Sequence, residues 1–256
     1  MKGAPNEAHI RVRNLNAFYG RQQALKDVNI EIPRRRVTVI LGPSGCGKST
    51  LLKSLNRFFE LGEGTRISGQ VLLDEEDIYA GDAEVTDIRK RVGLLAQHPF
   101  PLPMSIFENV AYGMRINGLR KGQTEYREAV RHYLEIAGLW EEVKGRLHEP
   151  AAGLSLGQQQ RLCLARGLAV EPEVILGDEP TSSLDPISSQ SIERRLLDLK
   201  EEYTIVIVTH ILRQARRLAD YIIYMYLGEV VEAGEASEVL EHPRHERTRE
   251  YLEGKF

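Results

Sequence analysis

Only two cysteines, Cys46 and Cys163, occur in the 256 residues, far apart and without metal-ligand spacing. Their scarcity excludes a disulfide framework and fits a reducing compartment. Positive charge is not in excess either. The 34 Lys and Arg against 37 Asp and Glu leave a formal net charge of -3, which offers no electrostatic footprint for nucleic acid. Long apolar runs are missing: the longest, around residues 204–209 and 221–227, fall far below the roughly 20 residues that span a bilayer. No part of the chain is expected to cross a membrane, and residues 1–9 lack the apolar core of a signal peptide. Neither an internal repeat nor a low-complexity stretch interrupts the sequence. What is there is the balance of an ordinary soluble globular protein, 42% hydrophobic and 28% charged. It suits one large α/β domain, or a core with a subdomain.

Runs rich in β-branched residues predict strands over 10–12, 28–32, 37–41, 71–73, 92–95, 174–176, 204–208 and 221–226. Helical patterns fill 49–57, 124–137, 157–169, 188–202 and 212–218. The alternation predicts βα units on a mostly parallel sheet. Ile205-Val206-Ile207-Val208, unbroken, reads as a strand buried on both faces. Three strands and few helical signals precede residue 42, which predicts an antiparallel β element packed beside the core. Residues 99–153 are helical, with charged faces, and are punctuated by Gly113, Gly118, Gly122, Gly138 and Gly145. That predicts a helical subdomain inserted between two core strands. The triplets Arg34-Arg35-Arg36 and Arg89-Lys90-Arg91 read as solvated edges rather than a phosphate-binding patch.

The chemistry starts at Gly42-Pro43-Ser44-Gly45-Cys46-Gly47-Lys48-Ser49-Thr50, which lies between an apolar strand and a helix start. In that context the G-x-x-x-x-G-K-[ST] pattern is a phosphate loop rather than a chance turn. Its glycines aim successive N–H groups at phosphate oxygens, and the following helix adds its positive end. Lys48 reaches the outer phosphates in this reading, and the Ser49 hydroxyl ligates Mg2+. Kinases, GTPases and motors share such a loop, so the reaction needs a second constraint. Val174-Ile175-Leu176-Gly177-Asp178-Glu179 supplies it. A strand ending in two carboxylates places Asp178 at the Mg2+ shell and Glu179 where it can activate water, which favours hydrolysis over transfer.

Leu154-Ser155-Leu156-Gly157-Gln158-Gln159-Gln160-Arg161 is similar to the signature of the ATP-binding cassette ATPases, usually written Leu-Ser-Gly-Gly-Gln. Gln97 matches the family's Q-loop, Ser183-Leu184-Asp185 its D-loop, and His210 its switch histidine. Tyr19 looks like the aromatic that stacks on adenine. These motifs run in the family's order from residue 19 to 210 and cover essentially the whole chain. The resemblance implies a single cassette over 1–256: a core at about 9–98 and 154–240, a helical subdomain at about 99–153, and a tail over 241–256. It implies ATP sandwiched head-to-tail between two copies, with the nucleotide loop of one facing Ser155, Leu156, Gly157 and Gln158 of the other. Asp185 would link the two sites, His210 and Glu179 would hold the attacking water, and Gln97 would join Ser49 and Asp178 around the metal.

Two positions depart from the pattern. Leu156 stands where the signature has its first glycine. A left-handed backbone there would cost leucine about 1–2 kcal/mol and loosen the dimer, whereas a negative φ makes it harmless, the reading favoured because Gly157 is kept. Gly177 replaces the usual apolar residue before the aspartate, with no functional account from sequence. Cys163 reads as core. Cys46 lies near a helix start, where a lowered thiol pKa and redox sensing are the alternative to its simpler reading as a small residue.

The resemblance further implies two membrane permease subunits, docked around residues 97–108. There Phe100, Leu102, Met104 and Phe107 either seat a partner helix or fill the subdomain's own core, and prolines 99, 101 and 103 stiffen the loop. Within the family the segments 100–106, 159–166, 185–188, 225–229 and 251–254 are most similar to the bacterial phosphate-importer ATPases. An extracytoplasmic phosphate-binding protein and a place on the cytoplasmic face of the membrane are then expected. The runner-up is the ATPase of a tungstate or molybdate importer. A cassette protein acting on nucleic acid fits less well, because such chains usually carry two cassettes, a coiled-coil insertion or basic extensions.

Overall fold

The computed structural model describes residues 7–119 and 122–255, so the lack of a signal-peptide core over residues 1–9 concerns a stretch that lies mostly outside the described residues. The chain opens with a long hairpin, β1 (Ala8–Tyr19) and β2 (Gln22–Pro33), followed by β3 (Val37–Leu41) and helix α1 (Lys48–Ser54). It returns through β4 (Thr65–Leu73) and the short β5 (Glu76–Asp77). One sheet, antiparallel throughout, has the order β2-β1-β4-β5. Then come α2 (Val85–Arg91), β6 (Val92–Leu95), α3 (Ile106–Ile116), α4 (Gln123–Ile136), α5 (Trp140–Val143) and α6 (Leu156–Leu168). The remainder alternates β7 (Val174–Asp178), α7 (Pro186–Leu199), β8 (Thr204–Val208), α8 (Leu212–Leu218), β9 (Tyr221–Tyr226) and β10 (Glu229–Glu235), and ends in α9 (Ala236–Glu241) and α10 (Glu246–Leu252). The second sheet has the order β10-β9-β3-β8-β7-β6, parallel except for β10.

The antiparallel element expected at the front is present, with one correction. Of the three leading strands, β3 lies in the parallel sheet between β9 and β8. Burial explains it. All five residues of β3 are buried, as a strand covered on both faces requires, while β1 and β2 interleave exposed residues. Within the parallel sheet, side chains alternate between two cores at the period of a strand. Val37, Val39, Ile205 and Ile207 pack with the helical region, and Ile40, Val206 and Val208 pack with α1 and the antiparallel sheet.

The basic triplets are not simply solvated edges. Arg34 pairs with Asp74, Arg36 with Glu235, and Arg91 with Glu173 and Glu76, each pair joining segments distant in sequence. His9 sits buried at this seam, its Nδ1 2.7 Å from Thr204 Oγ1 and its Nε2 3.4 Å from Glu173 Oε2. Helix α7 begins two residues before the predicted start because Asp185 caps it, accepting from the N–H groups of Ile187 and Ser188, with Pro186 in the first turn.

Candidate nucleotide-binding and hydrolytic site

The C-terminal ends of β3, β6, β7 and β8 lead directly into the segments singled out in the sequence, the usual place for a site in an open α/β sheet. Between β3 and α1 the loop folds against β9. Gly42 has φ 150°, and a Cβ there would sit 2.2 Å from the carbonyl oxygen of Met225. Gly47 caps α1 at φ 105°, where a Cβ would lie 2.7 Å from the carbonyl of Ala24. No side chain fits at either position. Lys48 is buried, and its Nζ donates to the carbonyls of Gly42 and Pro43, both at 2.8 Å. Ser49 donates through Oγ to Asp178 Oδ1 at 2.7 Å, and Lys53 reaches the other carboxylate oxygen at 3.3 Å. Cys46 is buried, and burial pushes its thiol up rather than down. Cys163 is core, as expected, and is raised for the same reason.

Glu179 follows β7 in a left-handed conformation, φ 47°. Its N–H donates to the Val208 carbonyl at 3.1 Å, and its own carbonyl accepts from both the N–H and the hydroxyl of Ser182. The turn thus fixes a strained backbone by pinning both of its polar groups. His210 Nδ1 lies 2.9 Å from Glu179 Oε1. A carboxylate only accepts, so the imidazole hydrogen sits on Nδ1 in this contact. Gly177 now has an account: a Cβ there would stand 3.1 Å from Cγ of Pro180, so glycine lets the turn fold back onto its own strand.

An open cleft of about 580 Å³ gathers Tyr19, the 44–50 loop and Glu179. Tyr19 is 45% exposed, with its hydroxyl 3.3 Å from Thr50 Oγ1 and its ring edge-on to Phe59, which leaves ring surface for a base. Sequence reasoning missed other lining residues, Gln22, Gln23, Lys26, Leu227 and Gly228. The last two form the β9–β10 turn at φ 48° and 86°, which pins the loop by a Gly228 N–H bond to the Cys46 carbonyl. Leu-Gly is not the Asn-Gly signal that flags such a turn.

The other motifs fall into two groups. Gln97 donates through Nε2 to Ser182 Oγ at 3.1 Å, and Ser183 Oγ donates to the Gln97 carbonyl at 3.3 Å, which places the Q-loop and D-loop segments side by side. Leu184 packs on the helical core, and hydrogen bonds from Ser188 hold the Asp185 carboxyl below its ordinary range. None of Ser155, Leu156, Gly157 and Gln158 lines the cleft. Ser155 caps α6 in a capping box with Gln158. Leu156 opens the helix, 44% exposed and not in a left-handed conformation, and Gly157 lets Ser188 of α7 approach to 2.5 Å from where a Cβ would be. Of the apolar residues in the 97–108 segment, Phe107 is buried and Phe100 is 78% exposed.

The sequence profile of the ABC transporter family matches residues 25–182. Among solved structures, cbiO1 from Clostridium perfringens, part of the ABC transporter complex cbiONQ, is similar at 29% identity and TM-score 0.79, over 93% of this chain and 92% of that one. The ATP-binding cassette MJ0796, in a dimeric post-hydrolysis structure bound to ADP and Pi, matches at 32% identity and TM-score 0.74, over 89% of this chain and 98% of its own. A bacterial Atm1-family ABC exporter with ATP bound shares the fold, at 24% identity and TM-score 0.80, and this chain spans 42% of its length. Among the described residues no helix is long and apolar enough to cross a membrane. The profile covers more than half of the sequence, across the phosphate loop, the signature and the Asp178-Glu179 strand, and the chain therefore belongs to the ABC transporter family, as an ATP-binding ATPase domain.

Proposed function

We propose that the chain is the ATP-hydrolysing subunit of an importer of inorganic phosphate, acting at the cytoplasmic face of the cell membrane on two permease subunits supplied by an extracytoplasmic phosphate-binding protein. One observation carries the hydrolytic part: Lys48, the Ser49–Asp178 pair and the Glu179–His210 pair converge where neighbouring parallel strands end. Loop N–H groups and Lys48 hold the phosphates, and Tyr19 offers its ring to adenine. Ser49 Oγ and Asp178 Oδ1, hard oxygen donors 2.7 Å apart, suit Mg2+, which takes few protein ligands and keeps its waters. Bound there, Mg2+ supplies positive charge to the phosphate oxygens.

Glu179 accepts a proton from water as the water oxygen bonds to the γ-phosphorus and the bond to the β–γ bridging oxygen breaks, leaving ADP and phosphate. His210, hydrogen-bonded to the same carboxylate, fixes its orientation. Ser155–Gln158 lie outside the cleft, which favours a second copy supplying them across a head-to-tail ATP sandwich, with Ser183, Leu184 and Asp185 between the two sites. A dimeric relative bound to ADP and Pi supports this reading, and cbiO1 within cbiONQ supports membrane partners. The assignment of core to about 9–98 and 154–240, helical subdomain to about 99–153 and tail to 241–256 belongs to the same proposal. Phosphate as cargo rests on the similarity of the segments named above, and no nucleic-acid partner is expected.

Glu179→Gln is expected to bind MgATP, lose nearly all turnover and run as a dimer with ATP on size exclusion. Near-wild-type hydrolysis by that variant would remove Glu179 from its role. Uptake of labelled phosphate, molybdate and tungstate in cells lacking the chain tests the cargo: loss of molybdate or tungstate uptake with phosphate uptake intact would overturn the phosphate assignment.

A further inference from the structure

Gln160 lies on α6, five residues after Ser155, with no exposed surface. Its carboxamide leaves its own helix. Nε2 donates to the carbonyl of Ala96 at 3.0 Å and to the carbonyl of Pro180 at 2.8 Å. Ala96 directly precedes Gln97, and Pro180 directly follows Glu179. The orientation of the amide is forced, because reversing it would set Oε1 against two carbonyl oxygens. Oε1 is left buried without a partner, so both hydrogens serve the bridge while the acceptor goes unmet. A fully buried side chain with half of its hydrogen-bonding capacity unmet calls for a reason.

The reason lies in what the two carbonyls belong to. The turn at Glu179 is left-handed; Ser182 holds the Glu179 carbonyl, and Gln160 holds the next one, that of Pro180. The bond to Ala96 holds the strand exit from which Gln97 reaches Ser182. Gln160 is thus the side chain of the signature helix that ties the Gln97 loop to the Glu179 turn. Helix α6 also packs on α3, whose Val110 and Met114 share a core with Leu164 and Leu168. The carboxamide of Gln160 therefore joins the helical region to the residues that flank Gln97 and Glu179.

We propose that Gln160 is a positioning residue for hydrolysis, setting the Glu179 turn and the Gln97 loop relative to the signature helix without touching nucleotide. The proposal rests on the reading of Glu179 as the group that activates water. Gln160→Met keeps length and apolar contact while removing both donors. In the full chain it is expected to bind MgATP within about twofold of wild type while kcat falls by about tenfold or more, a split that a general loss of fold would not give. Wild-type kcat in a variant that binds normally, or binding and kcat falling together, would overturn it. Gln160→Glu carries the same test if the Met variant folds poorly. Its carboxyl donates to a carbonyl only when protonated, so kcat relative to wild type should rise as pH falls from about 8 to about 6, and a flat ratio would refute the role. Glu179→Gln run in parallel separates the two readings. An active Glu179→Gln sinks the water-activation role, whereas an inactive Glu179→Gln beside a fully active Gln160→Met sinks only the positioning role.

Discussion

Asn109 on α3 has no exposed surface, and its carboxamide shapes the segment that carries Phe100. Its Oδ1 accepts from the Leu102 N–H at 2.8 Å and from Arg166 at 3.3 Å, and Nδ2 donates to the carbonyls of Ser105, Leu102 and Met104 at 3.0, 3.2 and 3.3 Å. Replacing Asn109 by alanine does not orphan all of these groups. The Leu102 carbonyl keeps the Met104 N–H, the Met104 carbonyl keeps the Ala151 N–H, and the Ser105 carbonyl keeps the N–H of residue 109. Arg166 keeps the Phe100 carbonyl. One donor, the Leu102 N–H, loses its acceptor, at about 1–3 kcal/mol. The vacated volume adds about 1 kcal/mol. The expected loss is about 2–4 kcal/mol, or roughly 4–8 °C in melting temperature for a domain of this size. Scanning calorimetry of the purified chain measures it, with MgATP affinity as control because the cleft is untouched. Asn109→Asp keeps the acceptor but turns a carboxylate oxygen toward three carbonyls, and should cost at least as much. A melting temperature for Asn109→Ala within about 1 °C of wild type would show that the Leu102 N–H is not desolvated and would refute the reasoning.

Acid should loosen the seam at His9. Burial lowers the His9 pKa, and the bond from His9 together with Arg91 holds the Glu173 carboxyl down at about 2, from 4.5. The unfolded chain then takes up protons that the folded chain refuses, so stability is full at neutral pH. It falls as pH drops below the ordinary histidine value and falls again through the carboxylate range. Because Glu173 is partly exposed, its share is about 1 kcal/mol after solvent screening, and the stability advantage of wild type over Glu173→Gln should shrink as pH falls from about 4.5 to about 2; a difference that stays constant with pH would refute it. Leu156→Gly should change ATP turnover by less than about tenfold, since the leucine opens a helix with an ordinary backbone. A larger gain would make Leu156 a brake. Gly177→Ala should press on Pro180 and cost about 1–3 kcal/mol in a melting experiment, and an unchanged melting temperature would mean the turn yields freely.

The conformation of the candidate phosphate loop was legible because it is local: a glycine that must take φ 105° and a lysine beside it announce themselves within nine residues. The doubly buried strand at Ile205–Val208 was legible for a similar reason, since unbroken apolar sequence admits few other readings. The residues that were missed act at long range. Gln160 reads as one of three consecutive glutamines, and nothing in the sequence sets it apart from Gln159, which stays near its own helix at the Ala152 and Leu154 carbonyls. Edge strand β10 was hidden by Glu229, Glu232, Gly234 and Glu235, because a strand paired on one side need not be apolar. Arg34 and Arg91 looked like surface charge because their partners, Asp74 and Glu173, are set by the meeting of two sheets.

An ammonium has three hydrogens, and in Lys48 two are already committed to the carbonyls of Gly42 and Pro43. The loss of rotamer freedom in a lysine, about 2 kcal/mol, therefore falls on folding and not on nucleotide capture. On the proposed reading, an arriving phosphate would meet a cation that is already ordered, largely dehydrated, and holding one hydrogen in reserve, and could be grasped without the loop being released. A guanidinium, whose five donors lie in one plane, would have to choose between the loop and the ligand.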